Sequence, residues 1–142
     1  IEKATELGVT RITPLVSKFS QTTSWNHERI TRIALGAAQQ CERFDFPVID
    51  SFAKLTALPD HLHEQACACA IARIPAPTPF ALFQENPKLH AILIGPEGGF
   101  SEKEIAFLTN MPNLYPVSLG TMVLRAETAA IMLLGCKIAS SP

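Results

Sequence analysis

The chain has 142 residues, of which 47% are hydrophobic and 18% are charged. This length suits one domain, and the composition excludes a disordered, collagen-like or coiled-coil protein. The formal charge of −1 lacks the basic excess that is typical of nucleic-acid binders. No apolar run approaches the ~18 residues that a membrane span needs, and the first residues lack the pattern of a signal peptide. We therefore predict a cytoplasmic globular domain with no membrane contact, whose four cysteines are reduced thiols.

The first third of the chain predicts a helix, a strand and a second helix. Residues 1–7 should form a helix that ends at a left-handed Gly8. Residues 11–17 predict a strand, with Pro14 at an end or an edge. Residues 26–43 predict the clearest helix, because apolar or small residues recur there at helical spacing. Its other face should be basic and open, with Arg29, Arg32, Gly36, Gln40 and Arg43.

Buried strands and short helices alternate in the rest of the chain. A short extended piece at 47–49 precedes a helical turn over 52–58, which Pro59 should stop. The uninterrupted apolar run 65–72 predicts a strand that is buried on both faces, and 90–94 predicts a second one. The remaining predictions, in order, are a loop with Pro75, Pro77 and Pro79, a helical turn at 80–84, a helix from the capping box of Ser101 and Glu104 to about residue 109, a strand at 114–119 and a helix at 123–138.

This alternation predicts an α/β fold with a mainly parallel sheet and helices on both faces. Ligands of such folds bind in a crevice at the carboxyl ends of the strands. The first candidate loop at that edge is the glycine-rich segment 95–99. It matches neither a P-loop nor a dinucleotide motif, and Glu97 would repel a phosphate. A structural turn and a loop for an uncharged or cationic ligand fit the pattern about equally.

The second candidate loop begins at residue 119, where a strand-end glycine again leads into a helix. Two such loops beside neighbouring strands can share one ligand. Its Arg125 and Glu127 either belong to a solvated helix start, where the helix dipole favours Glu127, or face that ligand.

A metal site is the tempting interpretation of His61, His63, Cys67 and Cys69. The spacing argues against it, because zinc ligands usually come in separated pairs and the two cysteines lie in an alanine-rich run that favours burial. We predict packed thiols and no metal.

Four segments carry a more specific signal when they are taken in order. They are KATELGV at 3–9, AAQQCER at 37–43, IGPEGGFS at 94–101 and LGTMVLRAETA at 119–129. Together they closely resemble the bacterial 16S (small-subunit) ribosomal RNA uridine-N3 methyltransferases of the SPOUT superfamily. The resemblance covers nearly the whole chain, from near residue 2 to about residue 134.

The resemblance implies a SPOUT-type α/β domain with a C-terminal trefoil knot, a homodimer, and S-adenosylmethionine held by the knotted loops. It also implies a small-subunit ribosomal RNA as the substrate. Members of this family carry an N-terminal β-barrel that binds RNA, and the present chain starts where that barrel should have ended. We therefore expect residues 1–142 to be the catalytic domain without the barrel.

The resemblance also implies the site residues. Arg125 and Arg43 would face the RNA or the reactive end of the cofactor, where either could stabilise a uracil anion. Gly98 would leave room for the ligand beside the backbone. The full set of implied cofactor residues is Ile71, Ile94, Gly95, Pro96, Gly98, Gly99, Leu119, Gly120, Val123 and Leu124, with the turn after Ile71 as a further wall.

The chain departs from the family at three positions. The family usually has an acidic residue at Gln39, glycine at Glu42 and arginine at Met122. The alternatives to this function are a SPOUT methyltransferase that acts on another RNA, such as transfer RNA, and a catalytically silent module for RNA binding or dimerisation. The sequence identifies no general base.

Overall fold

The computed structural model of the protein describes residues 1–63, 65–71, 76–86 and 88–140. Helices and strands alternate along these ranges, as the sequence predicts. The helices are α1 (Glu2–Glu6), α2 (His27–Gln40), α3 (Leu58–Leu62), α4 (Pro79–Glu85), α5 (Glu102–Thr109) and α6 (Ala126–Ala139), with a 3-10 turn at Leu55–Ala57. The strands are β1 (Arg11–Ile12), β2 (Leu15–Val16), β3 (Val48–Ile49), β4 (Ala53–Lys54), β5 (Ala66–Ala70), β6 (Leu89–Ile94) and β7 (Leu114–Val117).

Every strand pair in the described ranges is parallel, which confirms the predicted fold class. The largest sheet has the order β6-β5-β7, and two-stranded pairs form between β1 and β3 and between β2 and β4. Parallel strands need a crossover connection, which explains why short helices separate them along the chain.

Strand β5 is buried on both faces, as its apolar run predicts. Cys67 and Cys69 point to one face, where they pack in a core cluster with residues of the 3-10 turn, α3 and α5, such as Leu108. Ala68 points to the other face and packs with α4 and α6, for example with Phe83 and Leu133. The alternation of side chains along one strand thus places helices on both faces of the sheet.

The first two helices end in the same way. The residue after the helix cap is left-handed in both, Gly8 with φ of +80° and Glu42 with φ of +58°. In α1 the Val9 N–H donates to the Ala4 carbonyl, and in α2 the Arg43 N–H donates to the Ala38 carbonyl. These bonds define a Schellman motif, which glycine favours because it has no Cβ.

Several predicted boundaries are wrong. Helix α2 stops at Gln40, so Arg43 lies beyond it and not on its open face. The predicted strand 11–17 is broken at Thr13 and Pro14 into β1 and β2. Pro59 does not stop a helix but occupies the first turn of α3, where a proline needs no N–H partner.

The start of α6 also differs from the prediction, since residues 123–125 precede it and Arg125 is its N-cap. The predicted strand end at Ala72 and the predicted loop residue Pro75 lie outside the described ranges. Within those ranges, no helix is long and apolar enough to cross a membrane.

Candidate functional site

The three strands of the large sheet end at the same edge. Ala70 at the end of β5 is paired with Ile94 at the end of β6 and with Val117 at the end of β7. The residues that follow these ends, Ile71, Gly95 and Ser118, therefore lie at the same edge, although they are far apart in the sequence. This is the carboxyl edge at which parallel sheets bind ligands.

The glycines of the first loop serve different purposes. Gly99 has φ of +69°, a backbone conformation that would be strained in residues with a Cβ. No atom lies within 4 Å of the place where its Cβ would be, so the backbone is open there. At Gly98, in contrast, a Cβ would lie 2.9 Å from the Cβ of Phe19. The contact with Phe19 therefore requires a small residue at Gly98, and the expectation that Gly98 also leaves room for a ligand stays a prediction.

A network of hydrogen bonds fixes this loop to the helix that follows it. The Ser101 hydroxyl accepts from the Glu104 N–H, and the Glu104 carboxylate accepts from the Ser101 N–H at 2.8 Å. The same carboxylate accepts from the Lys18 N–H at 2.7 Å. These N–H donors hold the pKa of Glu104 below its usual range, although its burial acts in the opposite direction. Glu104 thus joins the predicted capping box to a segment 86 residues earlier.

A cleft of about 550 Å³ lies beside this loop. The first loop contributes Pro96 and Glu97 to its walls, and the beginning of α6 contributes Arg125 and Glu127. The third wall is the segment 20–22, which directly follows Phe19. Of the cofactor residues implied by the sequence, Pro96 lines this cleft and Ile94 lines a second cavity, which is described below.

The second loop presents apolar side chains to solvent. Gly120 has φ of +96° with no atom within 4 Å of a built Cβ, so the loop backbone is accessible. Met122 is 75% exposed and Val123 is 71% exposed, whereas Leu119 packs partly against the core. Val123, which belongs to the implied cofactor set, is thus an exposed apolar side chain near an accessible backbone, and an amphipathic ligand can cover such a surface.

Arg125 is free for a ligand. Its side chain is exposed and lines the cleft together with Glu97 and Glu127. In the described part of the chain, Arg125 forms no ion pair with either carboxylate. A salt bridge from Arg125 to Glu97 or Glu127 therefore does not hold this loop.

Arg43 is engaged in the fold. Its Nη1 donates to the carbonyl oxygens of Thr5 at 2.6 Å and Val9 at 3.1 Å, and its Nε and Nη2 donate to Asp45. The side chain is only 14% exposed. The hydrogen bond to Asp45 raises the pKa of Arg43 and lowers the pKa of Asp45. Arg43 therefore binds the carboxyl end of α1, and its implied place facing the substrate stays a prediction.

The cysteines on β5 are packed thiols, as the sequence predicts. Cys67 and Cys69 are 1% and 0% exposed. Burial raises the pKa of Cys67 to about 12 and also raises that of Cys69. Among the residues that the structure describes, no three His, Cys, Asp or Glu side chains are grouped to hold a metal ion.

A second cavity of about 640 Å³ lies on the other side of β6. It separates β6 from α1, β1 and α3, and its lining includes His61, His90 and Ile94. Its walls are mostly hydrocarbon from core elements, so it has the character of a packing gap between the sheet and the N-terminal elements.

Sequence reasoning missed Phe19 and the segment 20–22 as parts of the site. Their position depends on the contact with Gly98 and the hydrogen bond from Lys18 to Glu104, neither of which has a signature in the sequence. The run of five uncharged polar residues from Ser20 to Ser24 is the only local signal, and it is also typical of an ordinary loop.

Comparison with known proteins gives a consistent result. The family model described as "RNA methyltransferase domain" matches residues 1–137. The ribosomal RNA small subunit methyltransferase E of Rickettsia conorii is 35% identical over 135 residues, which are 92% of this chain and 54% of that protein. The protein of the same name from Mesomycoplasma hyopneumoniae is 36% identical over 146 residues, which cover 94% of this chain and 60% of the relative.

A solved structure is also similar. The ribosomal RNA small subunit methyltransferase E from Neisseria gonorrhoeae, bound to S-adenosyl methionine, superposes with a TM-score of 0.78 at 26% identity and covers 97% of this chain and 58% of that one. The chain thus spans little more than half the length of these relatives. Since the family model extends over almost the entire chain, the chain belongs to the RNA methyltransferase domain family.

Proposed function

We propose that the protein is an S-adenosylmethionine-dependent methyltransferase that methylates N3 of a uridine in small-subunit ribosomal RNA. The observation that carries this proposal is that two glycine loops follow the aligned ends of β6 and β7, and that the first loop and Arg125 line one cleft beside them, where Arg125 forms no ion pair with a described residue. The names of the relatives support the substrate class and the cofactor.

The residues at the sheet edge fit the cofactor. Adenosine needs apolar surface and backbone hydrogen-bonding groups, and the exposed Val123 and the open backbones of Gly99 and Gly120 offer both. Ile71, Ile94, Gly95, Pro96, Gly98, Leu119 and Leu124 are proposed to complete this site. When it is bound, S-adenosylmethionine supplies an electrophilic methyl group.

The reaction requires the uracil N3 to lose its proton and to meet the methyl group in line. The loops fix the relative position of the two reactants, and positioning is a large part of such catalysis. A cation that faces the developing uracil anion lowers the barrier. Arg125 suits this role because it lines the cleft and has no ion pair with any described residue.

The proposal includes a homodimer. Helix α6 buries Leu133 against the sheet but leaves Ile131, Met132 and Ile138 at least 40% exposed. A second copy of the chain would cover this apolar face. The C-terminal trefoil knot, the RNA-binding barrel outside this chain and a cytoplasmic location belong to the same proposal, since they accompany the family that the motifs indicate.

The test is Arg125→Ala in the full-length protein, with Arg29→Ala as the control for removing an exposed arginine elsewhere. We expect single-turnover methyl transfer to unmodified small-subunit ribosomal RNA to fall about 100-fold or more, the scale of losing one preorganised electrostatic contact. Cofactor affinity and melting temperature should stay nearly unchanged. Mass spectrometry of the wild-type product should detect N3-methyluridine.

Three results would contradict the proposal. Full activity of Arg125→Ala would mean that the substrate side of the cleft is assigned wrongly. A wild-type protein that binds no S-adenosylmethionine would favour the silent module, and transfer to transfer RNA alone would favour the other RNA substrate.

A further inference from the structure

The turn at residues 17–20, which leads into the cleft wall, is held in place although it has no regular secondary structure. The Ser17 N–H donates to the Ser20 hydroxyl at 2.9 Å, and the Ser20 N–H donates back to the Ser17 carbonyl at 3.1 Å, which closes a turn. The Lys18 N–H is bound by Glu104, and Phe19 packs on Gly98. The turn is therefore fixed to the first glycine loop and to the cap of α5.

Two polar side chains lie just beyond this turn. Gln21 and Thr22 directly follow the anchored turn, and their exposed side chains line the same cleft as Arg125. In the described ranges, neither side chain makes a hydrogen bond to the protein. The amide and the hydroxyl are therefore available to bind a ligand in the cleft.

The chemistry of the wall distinguishes between parts of an RNA. Neutral side chains such as glutamine and threonine donate hydrogen bonds both to phosphates and to base edges, but only contacts to base edges carry sequence information. The segment 20–24 contains five consecutive uncharged polar residues, so it brings no positive charge to a phosphate. A uracil whose N3 faces a methyl donor still presents its two carbonyl oxygens, O2 and O4, as acceptors.

We propose that Gln21 and Thr22 recognise the target base by donating hydrogen bonds to the exocyclic oxygens of the uracil. This inference deepens the proposed function and depends on it. Under this inference, Gln21 and Thr22 hold the base and determine specificity. Arg125 faces the negative charge that develops during the reaction.

The experiment compares Gln21→Ala and Thr22→Ala with Thr23→Ala in the full-length protein. Thr23 is the matched control, because it is an exposed neighbour that does not line the cleft. The substrate is small-subunit ribosomal RNA from cells that lack this modification. We expect each of the two cleft variants to lower kcat/KM for RNA by about 10-fold or more, the scale of one lost base contact.

Three further readouts separate base recognition from other roles. The Kd for S-adenosylmethionine and the melting temperature should stay unchanged, because neither side chain has a hydrogen-bond partner among the described residues. The third readout is the Kd for an RNA whose target nucleotide lacks its base. The wild type and both variants should bind this RNA alike, because the contact to the uracil is already missing. Weaker binding of that RNA by either variant would show a contact to the RNA backbone and overturn the inference.

Equal kcat/KM for the two cleft variants, the control and the wild type would also overturn it. That failure differs from a failure of the proposed function, in which the wild-type protein itself transfers no methyl group to the RNA.

Discussion

Replacement of Arg43 by alanine tests whether this residue stabilises the fold or takes part in the reaction. Its guanidinium donates to the Thr5 and Val9 carbonyls at the carboxyl end of α1, where a positive charge also interacts favourably with the helix dipole. The Thr5 carbonyl keeps a second donor, the Gly8 N–H, but the Val9 carbonyl loses the contact that satisfies it. The side chain is mostly buried, so the lost bonds are incompletely replaced by water.

The magnitude follows from these contacts. A hydrogen bond from a charged group contributes about 1.5–3 kcal/mol when it is shielded from water. The bond to the Thr5 carbonyl should contribute less than this, because that carbonyl keeps the Gly8 N–H as a donor. We therefore expect Arg43→Ala to lower the free energy of unfolding by about 2–4 kcal/mol. For a chain of this length that corresponds to a fall in melting temperature of about 6–12 °C. Arg43→Lys should recover part of the loss, because lysine offers one point charge in place of a planar fork.

Urea and thermal unfolding followed by circular dichroism measure this change. Asp45→Ala is the control, because it removes the exposed partner of Arg43 and leaves both carbonyl contacts intact, so it should have little effect. An Arg43→Ala protein with unchanged stability and lost methyl transfer would refute the structural role and support the catalytic assignment.

Two further predictions concern local structure and pH. Glu42→Gly should raise the free energy of unfolding by about 0.5–1 kcal/mol, because glycine adopts the positive φ of this position without strain; an unchanged or lower value in urea unfolding would contradict this. Burial alone would raise the pKa of Asp50, but its carboxylate accepts hydrogen bonds from Thr13 and Arg11, and these lower the pKa. The pKa of Glu104 is likewise lowered by its hydrogen-bond donors. Since both groups bind protons more readily in the unfolded chain, their contribution is present above about pH 5 and is lost as the pH falls through the folded-state pKa values. Asp50→Asn and Glu104→Gln should each make unfolding free energy less dependent on pH between about 5 and 3, and a wild-type-like slope would contradict the assignment.

The sequence predicted the elements whose signals are local. The apolar run of β5, the capping box at Ser101 and the stripe of α2 each depend on residues that are close in the chain, and each was found. The end of α2 was missed because a left-handed Glu42 gives no sign of a helix end, whereas the glycine at Gly8 does.

The site was predictable only in part. The two glycine loops could be located, because both follow strands that were recognised. The position of one loop relative to the other depends on the strand order β6-β5-β7. No residue pattern in the sequence indicates that order. Gly98 packs against Phe19, which is about 80 positions earlier and directly precedes the cleft wall at 20–22. The sequence does not reveal this contact, because it results from packing in three dimensions.

The central claim is that the loop after β7 binds S-adenosylmethionine, and a calorimetric titration of three proteins tests it most directly. Val123 and Met122 are neighbours with similar exposure, so aspartate at either position should leave the fold intact, but only Val123 is assigned to the cofactor. We predict that the wild type and Met122→Asp bind S-adenosylmethionine alike. Val123→Asp should bind about 10-fold more weakly or worse, because its charge would be desolvated by the bound cofactor. Equal binding by all three proteins, or none by the wild type, would contradict the account.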